Sequence, residues 1–350
     1  MTNSPIRIGV IGAGANTRKM HIPGLLAIDD IEIISVCNRS IASGQRVAKE
    51  FNIPKVQTSW RDVVNDSDID AVVIGTWPNM HKTLTCAVLE SGKHVLCEAR
   101  MAMNAAEAHA MWTVSKSRPD LIAQIVPSPF TLAFDSTIQE MMYDGFFGDL
   151  IAIDVRHITG EFVDHDSPLT WRQETGFSGY NIMTMGIWYE AIARWVGHAR
   201  TVLAGTKHVV KLRPHPDGNR VVAIGVPDHV DIIANMECGA QARMQFSAVL
   251  GLATTINEAW IYGARGTARL DGVEKKLYTL RRGDGDFKEI EVPEEKKGRW
   301  RVEEEFVNAI RGIEAVKLTT LQAGVRYMEF TEAVSLSAIS GKTVTLPLSV

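Results

Sequence analysis

The chain has 350 residues, 45% of them apolar and 22% charged, and its 37 basic and 41 acidic residues give a formal net charge of −4. At roughly 150 residues per domain, this length predicts two domains. The composition excludes a disordered, collagenous or coiled-coil protein. Because no basic block supplies the positive field of a nucleic-acid-binding protein, no nucleic-acid partner is expected.

Cellular location is indicated only by what the chain lacks. No apolar run reaches the ~20 residues of a membrane-spanning helix, so no membrane partner is expected. The N-terminus enters a strand-like segment directly, without the basic region and cleavage site of a secretory signal. The four cysteines have no CxxC spacing, which argues against a disulfide framework or a zinc site. We therefore expect a cytoplasmic protein with no bound metal ion.

The first third of the chain alternates short apolar runs with helical patterns. Strands are predicted over residues 6–11, 31–37, 71–75, 94–97 and 121–126, with helices ending near residue 27 and over about 41–51, 80–90 and 105–115. Such alternation predicts an α/β domain with a doubly wound parallel sheet, which binds its ligand at the carboxyl ends of the strands.

After Pro127 and Pro129 the pattern changes. Two helices and a strand are followed by strand-like segments in succession, and two helices close the chain. The helices are predicted over 132–144, 182–195, 301–313 and 320–339, and the strands over 150–158, 199–210, 229–236, 241–250, 258–262, 267–270, 277–281 and 287–292. Runs of strands without helices predict an α+β domain with a largely antiparallel open sheet. The expected domains are 1–126 and 127–350.

The segment GVIGAGANT, residues 9–17, carries the main functional signal. A predicted strand enters Gly12-x-Gly14 and a helix follows. Gly12 permits the tight turn, and Gly14 lets the backbone approach a pyrophosphate at the helix N-terminus. The third fingerprint glycine is replaced by Thr17. In this strand–turn–helix context we interpret the segment, with Ala15 and Asn16, as a dinucleotide-binding turn rather than a plain structural turn.

The end of the second predicted strand bears on the choice of nucleotide. An NAD site usually places an acidic residue here to bind the ribose 2′-hydroxyl, whereas this chain has Asn38, followed by Arg39 and Ser40. Arg39 and Ser40 could hold a 2′-phosphate. NADP is therefore the preferred prediction, and NAD stays possible. The alternative is that Arg39 only faces solvent.

Further segments along the chain form one pattern. They are GTWPNMH at 75–81, SGKHVLCE at 91–98, DGFFG at 144–148, the pair Trp171-Arg172, GARGT at 263–267 and SGK at 340–342. Over nearly the whole chain these residues resemble the Gfo/Idh/MocA family of glucose–fructose oxidoreductase and inositol dehydrogenase. They match its TPN..H turn beside the cofactor, its GKHVLCEKP segment, its G..G turn and its WR pair.

The resemblance implies a Rossmann domain followed by an α+β domain whose open sheet often pairs subunits, here as a homodimer or homotetramer. It also implies nicotinamide-dependent oxidation or reduction of sugars, polyols or related cyclic carbonyl compounds. The cofactor-binding residues that it implies outside the glycine-rich turn are Thr76, Trp77, Pro78, Asn79, His81 and Glu98. His21 is expected to cap or pack near the cofactor.

The catalytic positions depart from the family. Where it has Glu-Lys-Pro, this chain has Glu98-Ala99-Arg100, and the Asp and His positions of its second motif are Thr184 and Trp188. The lysine and both proton-handling groups are therefore absent together. A positioned acid or base contributes about 10²–10⁴-fold to moving the proton at oxygen, so either another residue replaces these groups or the reaction needs none.

Two replacements can be suggested from the sequence. Tyr180 precedes a predicted helix, and its phenol can act as an acid if a cation such as Arg100 is nearby; the alternative is a packed ring with its hydroxyl outward. His165 lies between Asp164 and Asp166, which favour its charged form; the alternative is an exposed loop cluster.

The substrate side is predicted to be less polar than a sugar site. Trp171, Arg172, Thr184 and Trp188 are its expected contacts, and they suggest an aromatic or otherwise apolar portion such as a glycoside aglycone. Core packing is the alternative. The sequence thus predicts an NAD(P)-dependent oxidoreductase acting on the alcohol or carbonyl of a sugar-like, glycoside or other cyclic small molecule. The alternatives are a redox-neutral lyase or hydrolase that retains its nucleotide and a non-catalytic nucleotide-binding protein.

Overall fold

The computed structural model describes residues 5–251 and 255–349. By its internal contacts the chain divides into two compact units. The first contains the chain up to Pro127 together with Arg301–Val325, and the second contains Ser128–Trp300 together with the chain from Arg326 onward. Arg301–Val325, expected from its position to lie in the second domain, packs with the first unit because its helix contacts the helix that follows the first strand. The division into independent domains at residue 126 stays a prediction.

The first unit is built on a six-stranded parallel sheet. Its strands are β1 (Ile6–Ile11), β2 (Ile31–Cys37), β3 (Lys55–Gln57), β4 (Ala71–Ile74), β5 (His94–Cys97) and β6 (Ala123–Ile125). Its helices are α1 (Ile22–Leu26), preceded by a π-helical turn at Thr17–His21, α2 (Ile41–Phe51), α3 (Trp60–Asn65), α4 (Pro78–Glu90), α5 (Ala105–Ser117) and α9 (Val302–Ile310).

The strand order β3-β2-β1-β4-β5-β6 confirms the predicted doubly wound sheet. The chain builds outward from β1 first on one side and then on the other. The two halves therefore meet between β1 and β4, and ligands of such sheets bind at the carboxyl ends of the strands beside this point. β4 is buried along its whole length, which explains its continuous apolar sequence AVVI.

The second unit contains a nine-stranded sheet, a two-stranded hairpin and several helices. Its strands are β7 (Leu150–Ile158), β8 (Ala199–Lys207), β9 (Leu212–Pro214), β10 (Val221–Ala223), β11 (His229–Met236), β12 (Gln241–Ser247), β13 (Ile256–Gly263), β14 (Gly266–Asp271), β15 (Lys276–Arg281), β16 (Lys288–Ile290) and β17 (Val344–Thr345). Its helices are α6 (Leu132–Tyr143), α7 (Thr175–Ser178) and α8 (Met185–Val196), with 3₁₀ turns at Trp171–Gln173 and Glu294–Lys296. The last helix, α10 (Leu321–Ser340), begins in the first unit and ends in the second.

The sheet of the second unit has the order β16-β15-β14-β13-β7-β12-β11-β8-β17. All of its neighbouring strands pair antiparallel except β7 with β12, which are parallel. This confirms the expected largely antiparallel sheet. Buried and exposed residues alternate along β11, so one face of the sheet packs inward and the other is exposed.

Several predicted strands are longer than those in the structure. The strand predicted over 199–210 ends at Lys207, because the backbone N–H groups of Val209 and Val210 donate to the Asp228 carboxylate instead of to a neighbouring strand. The strand predicted over 241–250 ends at Ser247.

Among the described residues, none of the helices combines the length and the apolar composition of a membrane-spanning segment.

Candidate functional site

The glycine-rich turn follows β1 at the centre of the first sheet. Gly12 adopts φ +85°, and a Cβ there would lie 2.7 Å from the backbone nitrogen of Thr76. The backbone N–H of Gly12 donates to Cys37 at 2.8 Å, and that of Gly14 donates back to Gly12 at 2.8 Å. Gly12 is therefore required by both conformation and space, as the fingerprint predicts.

The replaced third glycine is accommodated by another residue. Thr17 is 1% exposed, and its side chain packs where a Cβ on Gly75 would overlap both Thr17 Oγ1 and the carbonyl oxygen of Gly12. Gly75 follows β4, the neighbour of β1. Close packing of the turn thus depends on Gly75 rather than on a glycine at residue 17.

The residues at the end of β2 hydrogen-bond the glycine-rich turn and include the cationic side chain of Arg39. Asn38 Oδ1 accepts from the Ala13 N–H at 2.7 Å, while its Nδ2 donates to Ser43 Oγ at 2.9 Å. Ser40 is the N-cap of α2. The exposed Arg39 places its guanidinium 5.6 Å from the ring centroid of Trp77. The Asn38 amide is therefore already engaged, and among the described residues Arg39 has no acidic partner.

The turn after β4 is fixed by a buried histidine. His81 Nε2 lies 3.0 Å from the Thr76 carbonyl oxygen and Nδ1 lies 2.8 Å from that of Arg100, with Pro78 at the start of α4. Burial lowers the pKa of His81, so its imidazole is neutral at pH 7 and donates to one of these two carbonyl oxygens. His81 therefore packs between the segments that carry Thr76 and Arg100.

Glu98, directly after β5, is the centre of a charged network. Its Oε1 accepts from Asn16 Nδ2 and lies 3.0 Å from His21 Nε2, while Oε2 accepts from the Ala99 N–H at 3.1 Å. His21 Nδ1 lies 2.5 Å from Oε1 of Glu303 on α9. We call Glu98, His21 and Glu303 the carboxylate–imidazole network.

The charges of this network follow from its hydrogen bonds. Burial acts to lower the pKa of His21, but its hydrogen bonds to Glu303 and Glu98 outweigh burial and raise the pKa from 6.5 to about 9. Burial acts in turn to raise the pKa of Glu98, and the hydrogen bond and charge of His21 outweigh it, so that this pKa is lowered. At pH 7 an imidazolium therefore stands next to an ionised Glu98.

The predicted catalytic residues belong to different units. Arg100 is buried in the first unit at 7% exposure, after a cis peptide bond from Ala99. Tyr180, in the second unit between α7 and α8, is half-buried, and among the described residues its hydroxyl has no hydrogen-bond partner. His165 is exposed, and within the described ranges no carboxylate forms an ion pair with it. Asp164 instead accepts from the Asp166 N–H at 3.0 Å.

The predicted substrate contacts form two pairs, Thr184 with Trp188 and Trp171 with Arg172. Thr184 precedes α8, and Trp188, fully buried, lies one turn later. Thr184 Oγ1 and Trp188 Nε1 are buried, with no hydrogen-bond partner in the part of the chain that is described. Trp171 and Arg172 stack on each other, with the guanidinium 4.6 Å from the indole centroid.

His157 on β7 is a candidate that has no signal in the sequence. Its ring lies 5.8 Å from that of Phe130 and 6.4 Å from that of Trp188, between centroids. Its Nδ1 is 2.9 Å from Asn257 Oδ1, which only accepts, so Nδ1 carries the proton and Nε2 is left as an acceptor. Burial lowers the pKa of His157, which keeps the ring neutral. A single histidine in a strand matches no motif.

The first unit fits a nicotinamide dinucleotide. Gly12 and Gly14 leave the backbone accessible to a pyrophosphate, and Arg39 with Trp77 stands at the end of β2. Thr76 Oγ1 and Asn79 Oδ1 are buried without a hydrogen-bond partner among the described residues. A ligand could supply that partner. No group of three or more His, Cys, Asp or Glu side chains in the described ranges is arranged to hold a metal ion.

Comparison with known proteins extends this assignment. A model of an oxidoreductase family with an NAD-binding Rossmann fold matches residues 6–124, and a model of the GFO/IDH/MocA C-terminal domain matches residues 136–269. Trans-1,2-dihydrobenzene-1,2-diol dehydrogenase of Mus musculus is 24% identical over 266 residues, covering 76% of this chain and 74% of that protein. D-glucoside 3-dehydrogenase of Escherichia coli is 26% identical over 156 residues, covering 45% and 44%.

Solved structures share the fold. A levoglucosan dehydrogenase in complex with NADH and L-sorbose has a TM-score of 0.88 at 18% identity, covering 98% of this chain and 99% of that one. The two family models match residues in both units of the molecule. The chain therefore belongs to the Gfo/Idh/MocA family of NAD-binding oxidoreductases.

Proposed function

We propose that this oxidoreductase interconverts an alcohol and a carbonyl on a sugar-like, glycoside or other cyclic substrate with an apolar portion. The observation that carries this proposal is the pair Thr184 and Trp188, which leaves an indole and a hydroxyl where the family motif has an imidazole and a carboxylate. A bound nicotinamide supplies or accepts the hydride, and the protein's own side chains bind the substrate and move the proton at its oxygen.

Two relatives support the substrate class. The mouse protein is named for a dihydrobenzene diol and the Escherichia coli protein for a D-glucoside. Both names describe ring compounds that carry hydroxyl groups. A substrate with an apolar ring portion would suit a site in which Thr184 and Trp188 replace a carboxylate and an imidazole.

A substrate panel tests the proposal. The purified full-length protein would be incubated with each nicotinamide nucleotide and cyclic diols, aryl glucosides or free sugars. We expect product to form in step with the change in nicotinamide absorbance, with diols or aryl glucosides preferred over free sugars. Product without net absorbance change would indicate a redox-neutral lyase or hydrolase. No product from the panel, with the nucleotide bound, would indicate a non-catalytic nucleotide-binding protein.

We further propose that NADP is the preferred nucleotide. Asn38 is uncharged and its amide is engaged by Ala13 and Ser43, while Arg39 is exposed without an acidic partner among the described residues. A guanidinium can hold a 2′-phosphate with two hydrogen bonds. Arg39→Ala should therefore weaken NADPH binding and leave NADH binding unchanged, whereas Arg46→Ala, an exposed change on α2, should affect neither.

For proton transfer we propose Tyr180 as the acid, with Arg100 as a cation and His165 as the alternative acid. The Tyr180 hydroxyl is free of hydrogen bonds to the described residues and so is available to a substrate. Tyr180→Phe should lower turnover by about 10²-fold or more while leaving the NADPH dissociation constant unchanged. Tyr143→Phe, at a residue 93% exposed, is the control. Normal turnover of Tyr180→Phe would exclude the role.

We also propose that the exposed face of the second sheet pairs two copies of the chain, as a homodimer or within a homotetramer. Leu203 and Ile233 are exposed on this face and pair with each other across β8 and β11. An apolar patch on a sheet face is typical of a protein interface. Ile233→Arg should convert the oligomer to a monomer, measured by light scattering during gel filtration.

A cytoplasmic location is proposed on the state of the thiols. Cys37, Cys86, Cys97 and Cys238 are all free. Free thiols are typical of a reducing compartment. Fractionation of cells that express the protein would test this, and recovery outside the cytoplasm would contradict it.

A further inference from the structure

The carboxylate–imidazole network is a buried charged feature of the first unit that the proposed function does not yet use. The side chain of His21 is 0% exposed, and those of Glu303 and Glu98 are 4% and 14% exposed. Burying three ionisable groups is costly unless each is paired and hydrogen-bonded. Here both ring nitrogens of His21 meet a carboxylate, so the imidazole is held in one orientation by partners on opposite sides.

The network has an inner and an outer end. Glu303 is the inner end: it packs against Gly24 of α1, where a Cβ would lie 2.9 Å from its Oε2. Glu98 is the outer end and the most exposed member. Its Oε1 accepts hydrogen bonds from Asn16 Nδ2 and His21 Nε2, and its Oε2 accepts one from the Ala99 N–H. A carboxylate has about four acceptor positions, so Glu98 keeps acceptor capacity for a ligand.

Sheet topology places the outer end beside the nucleotide. The pyrophosphate turn follows β1, and the residues that select the adenosine ribose follow β2 on one side of it. Glu98 follows β5, on the other side of β1 and two strands away. The half of the dinucleotide that carries nicotinamide must therefore extend toward β4 and β5, where Glu98 offers an anionic acceptor to its ribose hydroxyls.

We infer that Glu303 is a positioning residue of the nucleotide site, which holds His21 against Glu98 so that Glu98 is fixed as an acceptor for the nicotinamide ribose. The inference rests on the proposed nucleotide site. Glu303 itself contacts no ligand and acts through His21. Without Glu303, His21 has one carboxylate partner instead of two, and both its orientation and its charge are less well held.

Glu303→Gln in the full-length protein tests the inference. NADPH dissociation constants would be measured by fluorescence from about pH 7 to about pH 10. We expect about tenfold weaker binding at pH 7, the size of one lost charge-assisted hydrogen bond. The wild-type affinity for NADPH should fall only as the pH approaches the pKa of His21. In the variant this fall should occur at lower pH, because His21 then has one carboxylate partner instead of two to stabilise its charged form.

Glu305→Gln is the matched control. Glu305 lies on the same helix and is also buried, but it hydrogen-bonds Gln124 Nε2 at 2.7 Å and the backbone of Lys317 at 3.1 Å. The Glu305→Gln variant should bind NADPH with the affinity of the wild type. Wild-type affinity and an unchanged pH profile in Glu303→Gln would overturn the inference. Binding of neither NADPH nor NADH by the wild type would instead overturn the proposed nucleotide site.

A measurement on the unaltered protein covers the case in which Glu303→Gln does not fold. If binding depends on the charged His21, linkage requires bound nucleotide to raise the pKa of His21. The His21 ring resonance, assigned by its loss in His21→Gln, would be followed by NMR against pH with and without NADPH. An upward shift supports the inference, and the same pKa in both states contradicts it.

Discussion

Thr17 occupies the third position of the glycine-rich fingerprint, and Gly75 provides the space that the missing glycine would have given. The sequence does not reveal that Gly75 compensates for Thr17, because the two residues are far apart in the chain. It is explained by their strands being neighbours, since β1 and β4 pair along their whole overlap. The glycine-rich turn thus still packs closely, but the glycine that permits this is residue 75 instead of residue 17.

Gly75→Ala should therefore destabilise the protein. Its methyl group would overlap Thr17 Oγ1 and the Gly12 carbonyl oxygen, so the turn must shift. We expect the free energy of unfolding in urea to fall by about 2 kcal/mol, within the usual range for overpacking.

Gly14→Ala separates stability from binding. The nearest atom to a Cβ at Gly14 is 3.7 Å away, so this variant should unfold at the wild-type urea concentration. Its methyl group should nevertheless weaken nucleotide binding if the backbone approaches a pyrophosphate there. Equal stability of Gly75→Ala and wild type would show that the turn does not depend on this packing.

His21 should make stability depend on pH. Its pKa is raised on folding, from 6.5 to about 9, so its stabilising contribution is complete below about pH 6.5 and is lost as pH rises toward 9. The shift corresponds to about 3 kcal/mol at most. Urea unfolding at several pH values should show this decline in the wild type.

The decline should be absent from His21→Gln, whose side chain does not titrate. His229→Gln serves as the control, because His229 pairs with the exposed Asp231 in the second unit. A wild-type free energy of unfolding that stays constant or rises between pH 6.5 and 9, relative to His21→Gln, would contradict a charged His21.

At the scale of elements, long patterned segments were predicted well and short ones were missed. β1, β2, β5, β7, β11 and α2 have the bounds expected from their apolar patterns. β3, β9 and β10 have only three residues each, too few for a pattern to be recognised. α3 could have been found, because Ser59 and Asp62 form a capping box before its apolar residues.

Arg213 on β9 shows how a missed strand can organise a candidate site. The side chain is 1% exposed and donates to the carbonyl oxygens of Phe162 at 2.6 Å, Asp164 at 2.5 Å and Ser167 at 3.1 Å. These residues flank His165. This guanidinium therefore connects three backbone carbonyl groups of the loop that carries His165.

Arg213→Ala should loosen that loop, because three carbonyl groups lose their donor. We expect faster amide hydrogen exchange over residues 160–169 and a loss of about 3 kcal/mol in the free energy of unfolding. Arg220→Ala, an exposed change near the same hairpin, should have neither effect. Unchanged exchange in Arg213→Ala would show that the loop is held by other contacts.

At the scale of the whole molecule, motifs predicted the fold and the glycine-rich nucleotide turn. They did not predict contacts between residues that are far apart in the chain. The glycine-rich turn and the sheet it implies depend on neighbouring residues, which a sequence displays directly. Glu303 meets His21 from 282 positions away, and no spacing rule connects them. The segment Arg301–Val325 likewise joins the first unit through packing that position in the chain does not indicate.

The most direct test of the account is a fluorescence titration of the nucleotide-free protein with NADPH and with NADH in one buffer. The account predicts saturable binding of both, with NADPH the tighter because Arg39 is available to its 2′-phosphate. Tighter binding of NADH would contradict the role of Arg39. Failure of both nucleotides to bind would contradict the central claim that the turn from Gly12 to Thr17 forms a working dinucleotide site.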